Sequence, residues 1–142
     1  MHLQVKEARR FIGRLPKDSD LIASITDFCV KQDIKLGVLR VIGAVKGARL
    51  GYYKQDEQAY VESVSLDKKL EIVSCTGNIS LKDGKPVVHA HAAFADLEGR
   101  MYGGHLLPGA AVFAGEFYIE ELTGGELRRE KDGPTGLPLW KM

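Results

Sequence analysis

PVVHAHAAFADLEGRMYGGHL, residues 86–106, reads as two β-strands joined by a tight turn. Apolar and small residues interleave with His89 and His91 in the first arm, Asp96-Leu97-Glu98-Gly99 supplies turn formers, and Arg100–Leu106 resumes a strand pattern. Side chains alternate across a strand at about 3.3 Å per residue, so His89 and His91 leave one face about 6.6 Å apart. The loop decides where His105 falls. A three-residue loop, Leu97–Gly99, with Gly99 left-handed, pairs Asp96 with Arg100 and sets His91 opposite His105. A two-residue loop shifts the register by one and turns His105 to the other face. In the first register His89, His91 and His105 share one face.

Three neutral imidazoles are a common first shell for zinc and other borderline divalent metals, and a three-ligand site leaves a position open for water or substrate. Gly103 and Gly104 are expected to clear space for an ion and its ligands. Glu71, Asp96 and Glu116 are weaker candidates for a fourth ligand or a supporting carboxylate, since each reads first as a surface charge or turn residue. Gly43, Gly47 and Gly51 are not followed by the Lys-Ser or Lys-Thr pair of a phosphate-binding loop, so bulged or closely packed strands account for them better. No Gly-x-Ser-x-Gly elbow occurs.

Outward from the hairpin, strand patterns cover Leu36–Tyr53, Ala59–Leu66, Leu70–Leu81 and Ala110–Leu122, and His2–Leu15 reads as a strand broken by Gly13. The capping-rich turn Pro16–Asp20 announces a helix from Leu21 to about Gln32, with Leu21, Ile22, Ile25, Phe28 and Cys29 on one stripe. The expected fold is α+β, a mainly antiparallel sheet packed with one principal helix, in a single domain over residues 1–142. The tail, residues 124–142, is expected to be extended, with Leu137, Leu139 and Trp140 docking its end on the body or on a neighbour.

The 142 residues are 44% hydrophobic and 27% charged, near globular averages, which argues against a disordered or fibrous chain. Lys plus Arg total 20 against 19 for Asp plus Glu, so no global positive field awaits a polyanion. Lys6, Arg9, Arg10, Arg14 and Lys17 make the first stretch locally basic, a pattern expected of a solvated strand face. Cys29 and Cys75 are expected to be reduced, buried thiols. No apolar run reaches the roughly 18 residues of a membrane span, and the first residues lack a signal-peptide pattern, so a cytoplasmic protein without membrane partners is expected.

Several stretches together resemble the PPC ("plants and prokaryotes conserved") domain: RLPKDSDL (14–21), VIGAV (41–45) with Ala48-Arg49-Leu50, LEIVSCTGNIS (70–80), and His89-x-His91 followed by Gly99 and Gly103-Gly104-His105-Leu106. That resemblance implies a compact α+β domain assembled as a homotrimer, with the histidines matching His89, His91 and His105 able to hold a metal, zinc being the usual suggestion. In plants the domain follows AT-hook segments with an Arg-Gly-Arg-Pro core, and there it contacts other transcription factors. This chain contains no Arg-Gly-Arg-Pro. The expected function is a metal-binding module for a small ligand or a partner protein. Its alternatives are a DNA-binding, transcription-associated protein and a metal-dependent hydrolase, the last without an evident general base.

Overall fold

The computed structural model describes all residues, Met1–Met142. Its elements in chain order are β1 (Lys6–Leu15), α1 (Leu21–Lys31), β2 (Gly37–Val45), β3 (Ala48–Lys54), β4 (Ala59–Leu66), β5 (Leu70–Lys82), β6 (Lys85–Ala95), β7 (Met101–Leu106), β8 (Val112–Thr123), β9 (Arg129–Lys131) and β10 (Pro138–Trp140). Eight strands form one sheet in the order β1-β8-β2-β5-β6-β7-β3-β4, and every neighbouring pair is antiparallel. The α+β expectation of one principal helix on an antiparallel sheet is met.

Only Lys46 and Gly47 separate β2 from β3, yet these strands lie four positions apart in the sheet. Four spacings in a flat sheet would cover about 19 Å, whereas such a link reaches roughly 11 Å. The sheet therefore coils on itself. Leu39, Val41, Leu50, Cys75, Ile79, Phe94, Leu106 and Ile119 fill the resulting core together with Leu21, Ile25 and Cys29 of α1. Alternation puts Leu39 and Val41 inside and Val38, Arg40 and Ile42 outside. The same period in β6 buries Val88, Ala90, Ala92 and Phe94 and sends His89 and His91 to the opposite face.

The start of α1 is set by Asp20, whose Oδ1 accepts from the Ala23 N–H at 2.9 Å while Oδ2 accepts from the Gly109 N–H. Its end is a Schellman closure that the sequence reading did not foresee. Asp33 is left-handed (φ 52°), the Asp33 N–H donates to Val30 O, and the Ile34 N–H donates to Cys29 O at 2.9 Å. Gly13 does not break β1, which runs on to Leu15. A Cβ there would sit 2.7 Å from the Phe117 ring, so the glycine makes room for that ring across the strand pair. Both cysteines are buried and free, and burial pushes the Cys29 thiol up to about 12 and the Cys75 thiol up to about 11.

The tail does not stay simply extended. β9 and β10 pair as a small hairpin, and the segment before it docks on β5, where the Leu81 N–H donates to Leu127 O and Leu127 is buried. No helix is long and apolar enough to cross a membrane.

Candidate metal centre

The β6–β7 turn has the three-residue form. The Gly99 N–H donates to Asp96 O, the Asp96 N–H donates to Arg100 O, and Gly99 is left-handed at φ 76°. Asp96 fastens it: Oδ1 accepts from the Glu98 and Arg100 N–H groups, and Oδ2 accepts from Lys68 Nζ at 2.7 Å and from the Tyr102 hydroxyl at 3.0 Å. The Lys68 ammonium, the backbone donor at Arg100 and the Tyr102 hydroxyl hold this carboxyl well below the usual carboxylate range, against its burial. Asp96 is thus the turn's anchor and not a ligand. With the register set, Ala95 pairs with Met101 and His91 with His105.

His89, His91 and His105 meet on the sheet face turned away from the core. Their ring centroids lie 5.3, 4.9 and 5.5 Å apart pairwise, and one nitrogen from each lies within 4.8 Å of the others. No carboxylate joins this group, so Glu71 and Glu116 stay outside it as well. His89 Nε2 and His105 Nδ1 are buried without a hydrogen-bond partner. Two buried ring nitrogens without a partner are costly unless some group bonds to them.

Gly104 acts differently from the expectation. A Cβ there would come within 3.0 Å of Gly51 O, so this glycine lets β7 approach β3 rather than clearing a ligand's space. At Gly103 a Cβ would meet only ordinary contacts, at 3.4 Å or more.

Three neighbours escaped the sequence reading. Tyr60 packs its ring 4.8 Å from that of His105. Asn78 pairs across the strands with His89. Arg129 of β9 reaches back with Nη2 to Asn78 Oδ1 at 2.7 Å and to His89 Nδ1 at 3.4 Å. Only the docked tail, 40 residues beyond His89, could have signalled Arg129.

Burial pushes the His89 imidazole down to about 4, with Arg129, His105 and His91 adding to it, and burial likewise lowers His105. An unfolded histidine takes up its proton near 6.5, so between about 6.5 and 4 the unfolded chain binds more protons than the folded one. Stability of the metal-free protein is therefore expected to fall as pH drops through this window. Urea midpoints at several pH values would show it, and His89→Gln should flatten the slope. Asp96 protonates only below its ordinary 3.8, so its loss lies outside the window.

Comparison with known proteins gives relatives that share this fold. The chain is similar to a metal-containing protein of Archaeoglobus fulgidus, 37% identical with a TM-score of 0.95, covering 100% of this chain and 99% of that one. It is also similar to a plant- and prokaryote-conserved protein of Pyrococcus horikoshii, 34% identical with a TM-score of 0.93, covering 98% and 95%. Among curated proteins it is 32% identical over 125 residues to the bifunctional protein GlmU of Synechococcus sp. (strain JA-3-3Ab), covering 87% of this chain and 19% of that protein. The chain thus spans about a fifth of the length of that relative. The family description of the Plants and Prokaryotes Conserved (PCC) domain matches residues 2–123. This match, with the fold shared along nearly the whole chain, makes the protein a member of the PCC domain family.

Proposed function

We propose that the chain is a metal-binding module in which His89, His91 and His105 hold one divalent ion, zinc by the chemistry of three imidazoles, and that the remaining coordination position serves a small ligand or a partner protein. The observation that carries this reading is the pair of buried, unpartnered nitrogens, His89 Nε2 and His105 Nδ1, within a group of three imidazoles. A metal would satisfy both. The lowered proton affinity of His89 keeps its ring neutral at physiological pH, as a ligand must be. A divalent ion held by three imidazoles keeps an open position at which it can bind or polarise an oxygen. Similarity to the metal-containing protein of Archaeoglobus fulgidus supports the reading.

A binding role is favoured over a hydrolase because no carboxylate stands with the histidines to act as a general base. Direct DNA binding finds little support in the basic first stretch. Arg9 is paired with Glu121 at 2.5 Å and Arg10 with Glu7.

The reading includes assembly as a homotrimer. Its support is the family resemblance and the sheet face that exposes Ile12, Val38 and Ile42. Sedimentation equilibrium should then give three times the 15.6 kDa chain mass, and a monomer would refute the assembly.

Zinc is expected to bind the untagged protein at one equivalent per chain. At about 100 times its Kd it should stabilise the fold by about 2.7 kcal/mol, raising Tm by on the order of 8 °C. No zinc uptake and no thermal shift would rule the reading out.

A further inference from the structure

Between the histidines and the tail lies a cavity of about 200 Å³, bordered by His89, His105, Tyr60, Lys82 and Arg129 and, on the tail side, by Leu137–Leu139. No carboxylate lines it. Arg129 is half-buried, and its acceptors are all neutral: Ser80 Oγ takes Nε–H at 2.9 Å, Pro138 O takes Nη1–H at 2.9 Å, and Asn78 Oδ1 takes Nη2–H at 2.7 Å. The guanidinium forms no ion pair. A partly desolvated cation held by neutral acceptors and by the Trp140 ring, whose centroid lies 5.7 Å from the guanidinium carbon, with a second cation on the same wall, has no anionic partner.

The contact of Arg129 Nη2 with His89 Nδ1 adds a separate constraint. Arginine can only donate, so the nitrogen facing it must accept, which puts the hydrogen of a neutral ring on Nε2. A metal at Nε2 requires the opposite tautomer, with Nδ1–H pointing at another donor. Metal-bound histidines normally give this second N–H to a carboxylate, a carbonyl or water. An oxyanion between the two groups would accept from both.

We propose that this cavity binds a small oxyanion, a carboxylate or phosphate group, with Arg129 as its recognising cation and His89 Nδ1–H as its second donor. Lys82 adds charge at the cavity wall. The coupling to metal rests on the proposed function, whereas the charge argument for Arg129 does not. Anion and metal should accordingly bind with positive linkage, each tightening the other by the same factor. Arg129 lies outside residues 2–123, so the tail supplies the anion-recognising group to histidines that belong to the family-matched part.

The test is calorimetric titration with inorganic phosphate and, separately, with acetate and succinate, on metal-free and zinc-loaded protein. Saturable binding with a Kd of about 1 mM or tighter is expected in the zinc-loaded form. Arg129→Gln should weaken it by at least about tenfold, the usual worth of a charge-assisted hydrogen bond, and Arg129→Lys should recover part of the loss. An unchanged Tm of the metal-free variants would show that the tail still docks. The phosphate and carboxylate arms identify the ligand's chemistry. No saturation by any probe at about 10 mM in either form, or equal binding by Arg129→Gln, overturns the proposal. Anion binding through Arg129 without zinc uptake would sink the metal reading and leave the anion site standing. Zinc uptake without anion binding would do the reverse.

Discussion

His91→Ala is expected to weaken zinc binding by at least about 100-fold, since losing even a supporting partner of a metal ligand typically costs 10–100-fold. The same change should leave the metal-free fold nearly untouched. His91 is the exposed member of the three, pairs with Thr76 and His105 only along the sheet face, and contributes nothing to the core. Substitutions at such positions usually shift stability by no more than about 0.5 kcal/mol. Competition with a chromophoric chelator would read the affinity, and urea unfolding of the metal-free form would read the fold. A variant that unfolds early without metal, or one that binds zinc as the parent does, would show that the histidines serve packing rather than coordination.

Phe94→Ala should have the largest effect on the fold, a loss of about 3–5 kcal/mol. Phe94 is fully buried, pairs with Ile72 on β5 and Tyr102 on β7, and belongs to the cluster that includes Leu21, Ile25 and Cys29 of α1. Removing its ring opens a cavity beneath β6, the strand that carries His89 and His91 on its other face. Zinc should still bind to the folded fraction, but its apparent affinity should fall in proportion to the population lost. Urea midpoints with and without zinc would separate the two effects. A loss below about 1 kcal/mol would mean that neighbouring side chains collapse into the space, against the packing described for the coiled sheet.

Much of the hairpin is legible because short-range rules govern it. The turn chemistry of Asp96 and Gly99 sets the register, and the period of two then places His89, His91 and His105 without knowledge of the rest of the chain. The helix is equally local, with Asp20 as cap and one apolar stripe. What the sequence concealed is long-range. The order of the strands, with β2 and β3 separated by three others, depends on how the sheet coils. Gly13 and Gly104 look like strand breakers or ligand space, and they prove to be points of close approach to Phe117 and Gly51. Arg129 has no local signal at all. In sequence it is one more charge in a tail rich in glycine and proline, and only docking on β5 brings its guanidinium to His89. Tyr60 likewise reaches His105 from β4, a strand that does not pair with β7.

The most direct test of the three-histidine centre is anomalous diffraction from crystals of untagged protein supplied with zinc, collected on both sides of the zinc absorption edge. One peak per chain is expected, about 2.0–2.1 Å from a ring nitrogen of each of His89, His91 and His105. A map with no peak at these rings, or with its peak elsewhere on the chain, would contradict it.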